Sequence, residues 1–414
     1  MDRHYDVIIV GARVAGSSLA YELSKSGYKV LLADKSSFPS DVLSTHNFFG
    51  NSVAKLREMG VLDRLLQTGA PLYKRAVIQF EDVVIDGQFP EVDGETECLC
   101  VRRVHLDHIL FEHASSQPGV TSIEGFRVTD VIREGNAVTG IAGVRRGGEE
   151  ERFTAKLVVG ADGRNSTLRE RVNSARAMAV PTDFASYVGY FKGYEQAGDI
   201  HVELYKIRDK IGIVFPTDDD LHVVGVMFPL DDQGWSERFA RSPENAMREL
   251  IDGGFADSPL PERLRQASLV GRVRGLRGYD NDWHQGMGEG WALVGDAFSF
   301  KDPAVGQGMQ DALYSARILT DVLSKYDDWG EHWEEMAQAY QSLMEAKMMS
   351  RFHMACQFTK NVPFGPEQTA VNRLVAAHPE ATRAFLGIYN HAVEPQEFEQ
   401  VIGGLLAGNQ EFEP

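Results

Sequence analysis

Three short segments, far apart in the chain, carry residues whose types and spacing suit a bound dinucleotide. The first is Gly11-Ala-Arg-Val-Ala-Gly16. It follows the apolar run Asp6-Val-Ile-Ile-Val10 and opens a stretch with Ala15, Leu19 and Leu23 at helical spacing. Backbone N–H groups at such a strand-to-helix turn face a diphosphate. Asp34 stands 23 residues after Gly11, at the end of the next apolar run, Tyr28 to Ala33. A carboxylate there accepts both hydroxyls of a ribose and repels a 2′-phosphate, so the expected dinucleotide lacks that phosphate. One residue departs from the pattern: Arg13 replaces the second glycine, which normally lets the diphosphate approach the backbone.

The second segment, Leu157-Val-Val-Gly-Ala-Asp-Gly-Arg-Asn-Ser-Thr-Leu-Arg169, is an apolar strand running into Asp162-Gly163 and a helix start that Asn165 or Ser166 can cap. The third is Trp291-Ala-Leu-Val-Gly-Asp296, followed by Lys301-Asp-Pro303 and Gly306-Gln-Gly308 before a long helix. Asp296 at a strand end can take a polyol hydroxyl, and the helix start favours negative charge by roughly 0.3 to 2 kcal/mol. His46 is the expected proton-transfer residue, because imidazole titrates near neutrality; a packing or capping histidine is the other reading. Arg272, Arg274 and Arg277 form a basic cluster that can receive an anionic cofactor or substrate, or simply coat a strand edge.

The elements that must position these groups read as an α/β chain. Residues 5 to 34 make one βαβ unit, and 36 to 75 read as irregular and helical. Residues 76 to 89 alternate as strands, and a helix spans 103 to 116 with Leu106, Ile109 and Leu110 on one face. A hairpin turns at Arg133-Glu-Gly-Asn136, and Phe153 to Val159 is a further strand. The texture then changes to an antiparallel sheet: Tyr187 to Tyr194, Ile200 to Ile207, Ile211 to Phe215 and Leu221 to Phe228, broken by Asp218-Asp-Asp220. Helices near 236 to 252 and 259 to 267 and a strand near 269 to 276 follow, and the chain is mostly helical after Gly308. The reading gives a dinucleotide-binding domain over 1–75, 100–183 and 280–325, a substrate domain over 76–99 and 184–279, and a helical C-terminal region over 326–414.

At 414 residues the chain exceeds the size at which one hydrophobic core usually stops growing. A net charge of -18 repels polyanions and excludes nucleic acid as a partner. Its three cysteines, Cys98, Cys100 and Cys356, suit a reducing compartment better than a disulfide framework, and no metal is expected. The first residues run straight into a strand with no room for a signal peptide, and no apolar run reaches about 18 residues. A cytoplasmic location without a transmembrane segment is the expectation.

Taken in order and at wide spacing, the three segments resemble the FAD-dependent monooxygenases and related reductases built like para-hydroxybenzoate hydroxylase, over about residues 5 to 325. Gly11 to Gly16 is similar to that family's dinucleotide motif, Gly160-Ala-Asp-Gly163 with Ser166 and Arg169 to its Asp-Gly motif, and Gly295-Asp296 to its Gly-Asp motif. The resemblance implies a Rossmann-type FAD-binding domain interleaved with an antiparallel β-sheet substrate domain. It makes Gly11, Ala15, Gly16, Asp34, Lys35, Val128 and Asp162 cofactor-binding, with Asp34 on the adenosine ribose and the backbone of the strand holding Val128 at the adenine. Arg103, in Arg103-Val-His-Leu106, would reach the phosphate or ribose region, Asp296 the ribityl chain, and Gly306 and Gly308 the isoalloxazine. Phe38-Pro-Ser, Ser44-Thr-His46 and Lys301-Asp-Pro303 resemble bacterial FAD oxidoreductases near the geranylgeranyl reductases.

By the same resemblance the expected activity is insertion of one oxygen atom into a small aromatic, polyketide or isoprenoid-like molecule through a flavin C4a-hydroperoxide. Non-covalent FAD is the cofactor, and NAD(P)H or a separate flavin reductase is the electron donor. A C=C reductase is the alternative, but its Cys-Gly-Asp-like segment is replaced by Leu43-Ser-Thr-His46. A flavin-dependent halogenase comes next: Lys74 lies where that group keeps a catalytic lysine, yet its Trp-x-Trp motif is absent and Val305 stands where it has serine. A non-enzymatic flavin-binding protein is the remaining reading.

Overall fold

A computed structural model describes residues 4–42, 44 and 46–410. These fall into two compact units, one of residues up to 42, 103–180 and 280–356, the other of 43–102, 181–279 and 357 onward.

In the first unit, β1 (His4–Val10), α1 (Val14–Lys25) and β2 (Val30–Ala33) form the expected βαβ element. β1 lies between β2 and the strand Glu150–Gly160, both parallel to it, and the sheet continues through Val120–Ile123 on one side and Trp291–Leu293 on the other. Val7, Ile8, Ile9, Leu31 and Leu32 are wholly buried. That is why these strands read as continuous apolar runs: a parallel sheet is covered on both faces. Each such side chain stabilises the core by about 1.5–3 kcal/mol. α1 packs against the helices Arg103–Ser115 and Gly308–Leu323. The hairpin of Phe126–Glu134 with Ala137–Arg145 extends the sheet antiparallel from Glu150–Gly160.

The second unit is built on a sheet in the order Ser268–Leu276, Phe184–Lys192, Leu221–Pro229, Lys210–Pro216, His201–Ile207, Arg75–Phe80, Val83–Gln88. Its pairs are antiparallel except His201–Ile207 with Arg75–Phe80, which run parallel. Helices cover one face, with the Phe239 ring stacked on Tyr187 at 4.0 Å and on Phe228 at 5.0 Å. On this sheet the buried carboxylate of Glu203 accepts hydrogen bonds from Tyr194 (2.6 Å), Tyr205 (2.6 Å) and Gln196 (2.6 Å) and pairs with Arg263. Burial pushes its pKa up, but His201, Arg263 and the two phenols outweigh that and hold it at about 2.

Some expectations need redrawing. The helix expected at 236 to 252 is two, Gln233–Arg241 and Pro243–Gly254, because Pro243 opens a new helix and cannot donate a hydrogen bond back into the first. Residues 43–75, drawn with the dinucleotide domain, pack in the second unit. The cause is non-local pairing: Asn47–Phe48 and Leu72–Tyr73 both hydrogen-bond to Cys98–Cys100. The C-terminal region is divided, residues to 356 lying in the first unit. From 357 on the chain belongs to the second, where Pro366–Ala377 and Pro379–Tyr389 pack on Val83–Gln88. No helix among the described residues is long and apolar enough to cross a membrane.

Candidate cofactor site

The loop between β1 and α1 is drawn tight by its glycines. A Cβ at Gly16 would stand 1.8 Å from the Gly11 carbonyl oxygen, so only glycine lets α1 start this close to the turn. Asp34 is buried at the end of β2, where its two oxygens accept from the Ala12 N–H (2.7 Å) and the Ser36 N–H (2.7 Å). Each oxygen keeps a further lone pair for a ribose hydroxyl. Lys35 beside it is exposed, and Ala15 is buried under the turn. Val128 is buried in Phe126–Glu134, a strand that pairs along one edge only among the described strands. Its other edge has no described strand beside it.

Arg13 neither fills the loop nor points into solvent. Its guanidinium pairs with Asp107, donates to Ser40 Oγ at 3.0 Å and lies 5.5 Å from the centre of the Phe38 ring. Arg103 donates to the other oxygen of the same carboxylate at 2.8 Å. Asp107 was not a sequence candidate, although its position four residues after Arg103 on a helix is a readable signal.

Asp162, expected at the cofactor, holds the start of the next helix in this structure. Its carboxylate accepts from Ser166 Oγ (2.5 Å), Thr167 N (2.7 Å) and Leu168 N (3.3 Å), capping the helix Thr167–Val172. Asp162→Ala is therefore expected to cost about 1–2 kcal/mol of stability, read as a lower melting temperature. FAD affinity should fall less than threefold; a larger fall with unchanged melting would assign Asp162 to the cofactor instead. Arg169 staples the second segment to the third, donating to the carbonyls of Ala297 (3.0 Å), Asp296 (3.4 Å) and Arg164 (2.5 Å).

In the third segment the Gly295 N–H donates to Ser315 Oγ at 2.9 Å, tying the turn to the helix Gly308–Leu323. Among the described residues, no hydrogen bond reaches the Asp296 carboxylate. Burial pushes its pKa to about 6; Asp311 and Asp282 push the same way, while Arg103 and Arg164 oppose them. A Cβ built on Gly308 would meet one atom within 4 Å, Asp296 Oδ1 at 3.8 Å. Carboxylate and helix start thus border one open space, and no side chain caps that helix start. Gly306, with φ +64, ends the turn just before it. The buried Lys301 pairs with Asp311, and Asp302 caps the turn through Ala304 N at 2.9 Å.

In the second unit His46 is wholly buried, and its Nε2 lies 2.5 Å from the Tyr190 hydroxyl. The two rings stack 5.7 Å apart. His46 has φ +59, the left-handed region that disfavours a side chain. Leu43 and Thr45 of the same segment lie outside the described residues. The guanidinium of Arg102 lies 5.9 Å from the centre of the Tyr190 ring, held by Asp218 at 2.7 Å. Tyr190 had no sequence signal. Lys74 is exposed, and Arg272, Arg274 and Arg277 lie exposed on or just beyond the edge strand, Arg277 donating to Ser236 Oγ at 2.9 Å. Cys98, Cys100 and Cys356 are buried free thiols, and burial raises the first two well above the usual thiol range.

A glycine turn that draws β1 onto α1, a carboxylate at the end of β2, and a second, unsatisfied carboxylate facing a helix start define a dinucleotide-binding flavoprotein. The chain belongs to the FAD binding domain family, whose profile matches residues 4–360, and to the para-hydroxybenzoate hydroxylase-like superfamily. It is 30% identical to 6-methylpretetramide 4-monooxygenase of Streptomyces rimosus over 338 residues, 78% of this chain and 77% of that one. It is 25% identical to the 1H-pyrrole-2-carbonyl-[peptidyl-carrier protein] brominase of Pseudoalteromonas luteoviolacea, over 82% of this chain and 81% of that one. Among solved structures, a flavin-dependent brominase superposes with a TM-score of 0.81 at 20% identity, covering 99% of this chain and 100% of that one. A flavoprotein/dehydrogenase from Cytophaga hutchinsonii gives 0.80 at 18% identity, covering 98% and 100%. These two likenesses speak for the fold. FAD fits the residues present, because the unsatisfied Asp296 carboxylate and the gap at Gly308 are what a ribityl chain and a flavin ring require.

Proposed function

We propose that the protein is an FAD-dependent monooxygenase that adds one oxygen atom to a small aromatic, polyketide or isoprenoid-like molecule. FAD is held non-covalently, with Asp34 on the adenosine ribose, Arg103 near the diphosphate, Asp296 on the ribityl hydroxyls, and Gly306 and Gly308 beside the ring. Bound FAD supplies two-electron transfer and the activation of O₂, which side chains cannot provide. A reduced nicotinamide or a separate flavin reductase delivers the two electrons; one oxygen atom goes to the product and the other to water.

The observation that carries the reading is the His46–Tyr190 hydrogen bond of 2.5 Å. It gives the substrate-binding unit a buried acid–base pair, with Tyr190 partly exposed and able to hand a proton between His46 and a bound molecule. The helix start at Gly308 favours negative charge on an electron-rich ring. Similarity to the 6-methylpretetramide monooxygenase supports the reading. Halogenation is the second reading, favoured by similarity to the brominase and to a chlorinase of Pseudomonas fluorescens at 24% identity. Val305 in place of serine and the exposed Lys74 speak against it.

The deciding experiment incubates the enzyme, a reduced nicotinamide with or without a flavin reductase, bromide or chloride, and a substrate panel under ¹⁸O₂. One labelled oxygen in the product is the expected result. A halogenated, halide-dependent product would assign the chain to the second reading. Two added hydrogens without any need for O₂ would replace both with reduction of a C=C bond.

A further inference from the structure

We propose that Arg13 is itself a ligand of the FAD diphosphate, taking over by charge what the missing glycine does by close approach. The inference rests on residues 11–16 being the dinucleotide loop. Arg13 sits at the N-cap of α1, where the second glycine would otherwise leave the backbone bare. A side chain at that position blocks a diphosphate only if it lies over the loop. Here it is drawn aside by Asp107, whose side chain is fully buried, and propped by Ser40 and the Phe38 ring. The approach to the backbone N–H groups of the loop therefore stays open.

Asp107 also holds Arg103, so two guanidiniums share one carboxylate and the group carries a net charge of +1. Both arginine side chains keep some exposure, 22% and 11%, whereas the carboxylate has none. The excess positive charge thus lies on the accessible side of the group and the negative charge on its buried side. A diphosphate diester carries two negative charges, and a guanidinium meets its oxygens with paired donors. Nη1 is engaged by Asp107 and Nη2 by Ser40, and the remaining N–H groups of the guanidinium are left for the ligand. The glycine loop and the guanidinium then act on the same group from two sides.

A purely structural role for Arg13, clamping the 36–42 segment to the helix Arg103–Ser115, makes a different prediction, and the test separates the two. Binding of FAD, ADP and adenosine is measured by titration calorimetry on flavin-stripped wild type, Arg13→Gln and Arg13→Lys. For Arg13→Gln, FAD and ADP are expected to bind about 10- to 100-fold more weakly, the range for a hydrogen bond to a charged group. Adenosine, which lacks the diphosphate, should change less than twofold. Arg13→Lys keeps the charge and should retain the ADP-over-adenosine preference within threefold. Added salt should narrow the wild-type preference and leave that of Arg13→Gln nearly flat. Equal losses for ADP and adenosine, or unchanged FAD affinity, would overturn the proposal, and so would tighter FAD binding by Arg13→Gly. A wild type that binds no FAD would instead fail the cofactor reading on which the inference rests.

Discussion

Asp296→Asn is expected to make the FAD-free protein more stable at pH 7 to 8 and, in the same variant, to weaken FAD binding by about 10- to 100-fold. Both effects follow from a carboxyl whose pKa stands at about 6 against an ordinary 3.8. Burial is the main cause, reinforced by the carboxylates of Asp311 and Asp282. The sign runs against the usual case for an aspartate. Between about pH 4 and pH 6 the folded chain holds a proton that the unfolded chain releases, so stability falls as pH rises through that window. Above about pH 7 the loss is complete, of order 1–3 kcal/mol after allowing for the solvent contact the side chain keeps. Asparagine carries no charge at any of these pH values and escapes the loss.

Binding reverses the balance, because ribityl hydroxyls that donate to the carboxylate stabilise its ionised form. FAD affinity of the wild type should therefore rise about fivefold from pH 5 to pH 6, reach about tenfold by pH 7, and level off above it. Asp296→Asn should show neither the rise nor the plateau. Melting of the stripped proteins and FAD titrations, both from pH 4.5 to 8, give the two readouts. A variant that melts lower than wild type at pH 8, or binds FAD equally well, would remove Asp296 from the ribityl chain. A site that stores instability until its ligand arrives is a common cost of function.

What could be read from the sequence was whatever depends on neighbours in the chain. Tyr5 to Val10 and Tyr28 to Ala33 are apolar because both faces of their strands are covered, and the glycine turn and Asp34 follow at fixed offsets. The strands between 184 and 229 are runs rich in β-branched and aromatic residues separated by turn residues, so their ends fell within a few residues of Phe184–Lys192, His201–Ile207, Lys210–Pro216 and Leu221–Pro229. Contacts that join distant segments could not be read. Arg13 lies 94 residues from Asp107, and His46 lies 144 residues from Tyr190. Nor does anything local mark Glu203 as the buried centre of a charged and phenolic network, since a Glu within a strand usually faces water. At Ser166 the local signal was enough: the capping residue expected from the sequence accepts from Arg169 N and opens the helix Thr167–Val172.

The buried pair on the second unit yields the prediction with the greatest reach. His46→Ala is expected to slow product formation about 10²- to 10⁴-fold, the usual worth of a positioned acid–base group, with FAD affinity changed less than twofold. The left-handed backbone at His46 is a conformation that costs of order 1 kcal/mol or more for a residue with a side chain. It is retained here by a residue whose imidazole is fully enclosed and whose Nε2 meets the Tyr190 hydroxyl. Packing alone would be served by many residues, but the hydrogen bond is served by few. Tyr190→Phe keeps the ring stack at 5.7 Å and deletes only the hydroxyl, which separates the two roles. If the pair moves a proton, Tyr190→Phe should lower turnover about 10- to 100-fold and leave substrate-free flavin reduction untouched. The measurement is single-turnover product formation from pre-reduced enzyme mixed with O₂ and substrate, beside a melting curve for each variant. Full activity in Tyr190→Phe combined with a lowered melting temperature in His46→Ala would reduce the pair to a packing contact. Arg102 supplies the control: its guanidinium lies over the Tyr190 ring and is fixed by Asp218, so Arg102→Met should remove the cation from the ring face while keeping side-chain bulk. Loss of turnover in Arg102→Met with an unchanged melting curve would show that the cation beside the ring supports the proton transfer, and equal turnover would confine the transfer to His46 and the Tyr190 hydroxyl.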